Sequence, residues 1–230
     1  MTSYGQFCPV SKTAEILCER WMPLILRELM CGSVRFSEIQ RGVPLISPAL
    51  LTKRLRQLQT SGIITASGTG RGRTYHLTAG GRELYPIIEA MGVWGQRWAR
   101  SSYGPDDLDP SLLMWDISRM LAPRGVSGLS HHRTVVEFRF IGTTSVKSTF
   151  WLVVDDSVGL CLVDPGFDID LVVRAALRTL TQIWMGDLTL AQAQKEHEIE
   201  LLGPAALVER FPRWLGHHPV LGGVAAAGAS

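Results

Sequence analysis

At 230 residues the chain is long enough for one large domain or two small ones with cores of their own, and a formal charge of +2 hides a division. Up to Tyr103 there are 13 Lys/Arg against 6 Asp/Glu, and beyond it 10 against 15, so the halves carry +7 and −5. A basic first half suits a polyanion that the acidic second half would repel, so two domains with different work are expected. No run of about 18 uncharged apolar residues occurs, and no basic segment followed by an apolar one opens the chain, so the expectation is a soluble, cytoplasmic protein with no membrane partner. Cys8, Cys18, Cys31 and Cys161 have neither CxxC spacing nor the density of a disulfide scaffold, which argues against structural zinc and secretion.

Lys12 to Leu17 carries a short helical pattern, and Trp21, Leu24, Ile25, Leu29 and Met30 continue it in a second helix that stops at Cys31-Gly32. Pro23 falls in the first turn of that second helix, where proline is tolerated. Arg35 to Ile39 predicts a third short helix, closed by Gly42 and Pro44. The next stretch, Ser47 to Ser61, has the strongest signal. Ser47 can cap the first turn, Pro48 fits the first helical position, and Leu51, Leu55 and Leu58 form one inward stripe. Ala49, Thr52, Lys53, Arg56 and Gln57 are left on the outward face. Small residues let a helix sink into a major groove, while hydroxyl, amide and cationic groups address base edges and phosphates. An ordinary solvated helix face would look alike. Three helices leading to a basic-faced one give the order of a helix-turn-helix domain.

After Gly62, Ile63-Ile64 begins a strand, Ser67 to Arg73 is a glycine-rich turn, and Thr74 to Leu77 returns. A hairpin directly after a recognition helix is the wing of a winged helix, with Arg71 and Arg73 placed for phosphate or the minor groove. A nucleotide-cradling glycine loop is the alternative, but no phosphate-loop lysine follows and the loop leads into a strand. Thr78 then caps what reads as one long helix to about Ala99, carrying Leu84, Ile87, Ile88, Met91, Trp94 and Trp98. That face is too large for the small domain beneath it, and predicts packing on a second domain or pairing with a second copy.

The first hundred residues resemble the HxlR-type winged helix-turn-helix regulators. The resemblance is carried in order by Cys8-Pro9-Val10, Trp21 to Leu29, Arg35 to Ile39, Ile46 to Leu55, Tyr75 to Thr78 and Gly80 to Leu84. It implies a dimeric bacterial transcription regulator acting on double-stranded DNA. The wing is shorter and richer in glycine than the charged tip common in that family.

Ser101 to Asp107 reads as a linker, and a capped helix starts near Asp109-Pro110. Val136, Phe138 and Phe140 alternate with Glu137 and Arg139, predicting a half-buried strand with one polar face. Phe150 to Val154 and Leu160 to Val163 are further strands, joined by a turn at Asp155-Asp156-Ser157. Helices are expected from Ile169 to Leu180, Leu190 to about Glu196, and Phe211 to Leu215, with a poorly ordered tail over the last ten residues. Asp164-Pro165-Gly166, Asp168 to Leu171, Leu180, Ile183 to Thr189, Ala193 and Ile199 to Pro204 give this half a resemblance to the sterol-carrier-protein fold, a curved sheet with helices over an apolar tunnel. The resemblance implies a hydrophobic small-molecule ligand. Apolar strands serve equally as filled core.

Cys8, in front of Pro9 and close in sequence to Lys12, is the candidate thiol for redox or electrophile sensing, as the HxlR resemblance also implies; a half-buried packing cysteine is the competing reading. Cys18, Cys31 and Cys161 lie in apolar patterns and read as packing. His131-His132 and His217-His218 lack a carboxylate or thiolate at ligand spacing and read as surface or loop histidine, so no metal is expected. Nothing resembles a nucleophile elbow or a Ser/His/Asp set, so no catalytic residue, cofactor or enzyme activity is expected.

The reading is α+β. Residues 1–103 form a winged helix-turn-helix DNA-binding and dimerisation domain, and residues 104–230 an α/β sandwich-like domain of sterol-carrier type. Thr52, Lys53 and Arg56 are the expected groove contacts; Arg35, Ser37, Arg71 and Arg73 lie on the backbone, and the amide end of the Ser47 helix faces a phosphate. A hydrophobic effector or thiol modification would modulate a homodimer. Two alternatives stay open: a lipid-carrying or enzymatic second half with the winged helix as scaffold, and a second half that only stabilises the dimer.

Overall fold

The computed structural model describes residues 3–99, 104, 107–124, 133–143 and 147–218. The chain divides into two compact units, Met1–Met91 and Gly92–Ser230. Most of the expected linker, His131-His132 and the terminal tail lie outside the described residues.

In the first unit, α1 (Pro9–Leu17), α2 (Met22–Met30), α3 (Phe36–Gly42) and α4 (Pro48–Thr60) precede a hairpin of β1 (Ile64–Ser67) and β2 (Thr74–Leu77). Met22, Ile25 and Leu26 of α2, Ile39 of α3 and Leu51, Leu55 and Leu58 of α4 build its core with Ile64 and Tyr75 of the hairpin. A buried polar knot ties α2 to α3. Glu28, fully buried, accepts from Arg27 Nη2 at 2.8 Å and Ser33 Oγ at 3.2 Å, and the same Arg27 nitrogen donates to the Gly42 carbonyl at 2.9 Å. Leaving such a carboxylate unmet would be strongly unfavourable, so the knot sets how α3 sits on α2. Val34 and Arg35 extend the hairpin on one side: Tyr75 N donates to Val34 O at 2.8 Å, and Arg35 bridges to Thr74.

The long helix expected after Thr78 is broken. Thr78 caps α5 (Ala79–Arg82), accepting from Gly81 N at 3.0 Å, and the chain turns at Glu83-Leu84 before α6 (Tyr85–Trp94). Pro86 is the cause, since it has no N–H for the Arg82 carbonyl and its ring excludes that carbonyl, so the helix restarts with proline in its first turn. A widened turn at Gly95–Ala99 follows α6.

The first α-helix lying wholly in the second unit is α7 (Pro110–Arg124), whose first turn is capped by Asp109 Oδ1, accepting from Ser111 N at 2.7 Å and Leu112 N at 3.1 Å. Its sheet comprises β3 (Thr134–Ile141), β4 (Thr149–Val154), β5 (Val158–Cys161), β6 (Leu171–Ala176) and β7 (Ile199–Leu202), in the order β5-β4-β3-β6-β7. Only β3 and β6 pair in parallel, with Phe138 opposite Phe150 on one side and Val173 on the other. Helices α8 (Leu177–Met185), α9 (Leu190–Lys195) and α10 (Ala205–Leu215) complete it. Phe138 and Phe211 lie 6.4 Å apart at their centroids, and Phe140 meets Phe150 edge-on at 5.9 Å.

Two strand expectations are corrected. The helix expected over Ile169 to Leu180 begins only at Leu177, because Leu171, Val173 and Ala175 are buried in alternation as β6. The polar face expected for β3 is not solvated throughout: Glu137 is buried and pairs with Arg139, since β3 is the middle strand of five and is covered on both sides over most of its length.

His218 is likewise buried rather than on the surface. Its Nε2 lies 3.3 Å from Asp116 Oδ2, its backbone N–H donates to the Trp184 carbonyl at 2.9 Å, and Trp184 Nε1 donates to the same Asp116 oxygen at 2.7 Å. Arg119 completes the ion pair with Asp116. Burial pushes the Asp116 carboxyl up, but the charges of Arg119 and His218 and the hydrogen bonds from Trp184 and Arg119 outweigh it, and the group ends below the ordinary carboxylate range.

Two measurements check these packing arguments. Gly80 and Gly81 are adjacent, but a Cβ at Gly80 meets nothing within 4 Å while one at Gly81 would lie 2.1 Å from the Ile63 carbonyl oxygen. In urea titrations Gly81→Ala should destabilise by about 1–3 kcal/mol, whereas Gly80→Ala should be neutral or stabilising by up to about 1 kcal/mol. Because folding lowers the Asp116 pKa, its contribution is present above the unfolded value of about 3.9 and is lost as pH falls through the folded one. Asp116→Asn should therefore lower stability at neutral pH and flatten its fall below about pH 4, followed by tryptophan fluorescence.

Candidate nucleic-acid interface

The α4 helix is aimed by what it buries. Leu51, Leu55 and Leu58 are at most 1% exposed, and between them Arg54 is 7% exposed. Arg54 Nη1 meets Glu19 Oε2 at 2.6 Å and Gln57 Oε1 at 2.8 Å, while its Nε donates to the Arg20 carbonyl at 3.0 Å. This clamp joins α4 to the turn between α1 and α2. Sequence reasoning missed it, although Arg54 falls three residues after Leu51 and so on the inward stripe.

The remaining face carries the residues expected to make contacts. Ser47 caps α4, its Oγ accepting from Leu50 N at 3.3 Å, with Pro48 in the first turn. Ala49, Thr52, Lys53, Arg56, Gln57 and Thr60 line a shallow depression of about 330 Å³ along the helix. Lys53 and Arg56 are exposed. The Thr52 hydroxyl donates to the Pro48 carbonyl at 2.9 Å, so its proton is engaged and its oxygen faces outward as an acceptor.

A second group gathers at the start of α3 and the wing. Arg35, exposed, precedes α3, Ser37 is exposed in its first turn, and the bridge between Arg35 and Thr74 brings that end beside β2. Glu38 holds the turn by accepting from Val34 N and Arg35 N, each at 2.9 Å. Arg73 is exposed, with its guanidinium 5.6 Å from the centroid of Tyr75. Arg71 lies in the tight helical turn Gly70–Gly72 at the hairpin tip. The structure thus brings Thr52, Lys53 and Arg56 together on α4, and Arg35 beside the wing.

Cys8 is half-buried at the N-terminal end of α1, with its carbonyl accepting from Ser11 Oγ at 2.9 Å. Lys12, expected to favour its thiolate, has its ammonium on the Glu15 carboxylate at 3.0 Å. That contact, with the Tyr4 N–H and Ser3 hydroxyl, holds Glu15 below the usual carboxylate range against a smaller opposing effect of burial. Cys18 is exposed, contrary to its expected packing role, because α1 ends at Leu17 and leaves it on the rim of a groove. The groove, about 660 Å³, is lined chiefly by apolar side chains including Pro9, Val10, Leu17, Trp21, Ile87 and Met91. Trp21 sits there at φ +80°, strained for a bulky residue, with the Arg20 guanidinium 5.0 Å from its ring centroid. Among the described residues no group of three or more His, Cys, Asp or Glu side chains is placed to hold a metal ion, and no helix is long and apolar enough to cross a membrane.

Comparison with known proteins bears on the first unit. Residues 16–103 match the HxlR-like helix-turn-helix family model. The HTH-type transcriptional regulator YvaP of Bacillus subtilis is 34% identical over 103 residues, 43% of this chain and 95% of that protein. The regulator sll1512 of Synechocystis is 38% identical over 97 residues, 41% of this chain and 72% of that protein. Among solved structures the redox regulator HypR in its reduced form is similar at 32% identity, over 42% of this chain and 100% of that one, with a TM-score of 0.38. Through its N-terminal half the chain belongs to the HxlR-like helix-turn-helix family.

Proposed function

We propose that the chain is a homodimeric, DNA-binding transcriptional regulator in which residues 1–103 bind DNA and residues 104–230 form a sterol-carrier-like, ligand-taking domain. The observation that carries this reading is the oriented outer face of α4, where Thr52, Lys53 and Arg56 share one depression while the leucine stripe and Arg54 hold the opposite face. Thr52, Lys53 and Arg56 make the groove contacts. Arg35, Ser37, Arg71 and Arg73 contact the backbone, and the capped amide end of α4 at Ser47 faces a phosphate. The apolar groove, together with the exposed Tyr85, Ile87 and Met91 of α6, supports pairing of two copies on that side. Two such copies would present two α4 helices to adjacent major grooves.

Modulation acts at two places in this reading. Cys8, half-buried at the start of α1, is the thiol whose modification would disturb that helix. The second domain takes an apolar molecule beneath α10. A five-stranded sheet with helices supports this, and a small cavity of about 10 Å³ lies there between Val136, Leu171, Phe211 and Trp214. A ligand would have to lift α10, since that space holds no more than one water. Saturable quenching of Trp214 by an apolar probe, absent for a polar one, is the expected sign of such binding.

Full-length protein should bind its own upstream DNA selectively. Lys53→Ala/Arg56→Ala should remove the selectivity at roughly 1–3 kcal/mol per lost base contact, while circular dichroism stays unchanged. Wild-type binding lost on mild oxidation but retained by Cys8→Ser would support the thiol role, and equal loss in both would remove it. The plot of log affinity against log salt should be steep, and Arg71→Ala should lower its slope by about one; an unchanged slope takes Arg71 out of the interface.

A further inference from the structure

On the outer face of α4 one side chain has its hydrogen-bonding polarity fixed from inside the protein. Gln57 Oε1 accepts from Arg54 Nη1 at 2.8 Å. A guanidinium has donors only, so the amide atom facing it must be the oxygen. Arg54 cannot turn away to release it, since Nη1 also meets Glu19 at 2.6 Å, Nε is bonded to the Arg20 carbonyl at 3.0 Å, and the residue is buried. Reversing the amide would set donor against donor and leave a buried charged group with an unmet N–H. Gln57 also lines the depression that contains Thr52, Lys53 and Arg56. The oxygen is therefore the end anchored on Arg54, with one of its two lone pairs taken, and the NH₂ is the end turned away from the guanidinium.

This changes what the residue can read. A free glutamine recognises adenine with both ends, its oxygen accepting from N6 and its nitrogen donating to N7. With the oxygen anchored on Arg54, the amide can no longer turn freely to set both ends against adenine, and its nitrogen leads. Guanine presents acceptors at both N7 and O6, and thymine presents O4, whereas adenine sets a donor beside N7 and cytosine presents a donor. We propose that Gln57 is a specificity-determining residue of this interface, held as a donor by Arg54 and Glu19, and that it selects guanine or thymine over adenine and cytosine at the base pair it faces. The proposal rests on the reading that α4 enters the major groove.

The test is selection of binding sites from randomised duplex DNA by the full-length chain, comparing wild type, Gln57→Ala and Gln57→Glu. At one position of each half-site, wild type should prefer guanine or thymine, and Gln57→Ala should relax that preference by about 5- to 150-fold with the remaining positions unchanged. Gln57→Glu keeps an acceptor for Arg54 and the fold with it, but has no donor to offer, so preference at that position should move toward cytosine. Adenine at the Gln57-dependent position would overturn the proposal, as would a uniform loss across all sequences or no change in Gln57→Ala. Failure of wild type to select any sequence would instead overturn the base-reading role of α4 itself, and this proposal with it.

Discussion

The orientation of α4 depends on one buried arginine among leucines. Leu51, Leu55 and Leu58 alone would define an apolar stripe that tolerates some rotation and sliding, because hydrophobic contact has little directionality. Arg54 adds direction. Three of its N–H bonds are committed to Glu19, the Arg20 carbonyl and Gln57. A helical step of about 100° per residue means that turning α4 enough to change which side chains face outward would strip those partners from a residue 7% exposed. The outer face of Ala49, Thr52, Lys53, Arg56 and Gln57 is what this arrangement leaves over. The clamp ends on the turn between α1 and α2, where strained Trp21 and exposed Cys18 border the apolar groove. A disturbance of the groove therefore has a short, hydrogen-bonded route to α4.

Much of the first unit was legible because its signals are local. The cap at Ser47, Pro48 in the first turn, the leucine spacing, Gly32 at the end of α2 and the glycine-rich tip of the hairpin are each read within a few residues, and each stands where expected. Two things were not legible. Arg54 was hidden among Lys53 and Arg56, since a cation on an apolar stripe declares itself only through partners 34 and 35 residues away. Pro86 was overlooked inside an apolar run whose periodicity is otherwise good, although its missing N–H alone dictates a restart.

The second unit was harder for a physical reason. Strand β6 runs without a break into α8, so Leu171 to Met185 is one apolar stretch whose first six residues obey a period of two and whose last nine a helical period. What decides the strand is parallel pairing with β3, some 35 residues earlier, and nothing local signals it. The same central position of β3 explains Glu137, which alternation assigned to solvent and the sheet buries. His218 is a third case: its partners Asp116 and Trp184 lie 102 and 34 residues away, so an exposed loop and a buried ion-pair cluster look alike in sequence. The acidic balance of this half and the basic balance of the first were, by contrast, plain from counting. They agree with a division in which only the first unit faces a polyanion.

The central claim is that two copies of α4 read adjacent major grooves. Hydroxyl-radical and methylation-protection footprinting of the full-length chain on its selected DNA tests it most directly. The account predicts two protected major-groove segments about one helical turn, roughly 10 bp, apart, related by a two-fold axis and lost together in Lys53→Ala/Arg56→Ala. Protection confined to the minor groove, or an unbroken footprint indifferent to sequence, would contradict it.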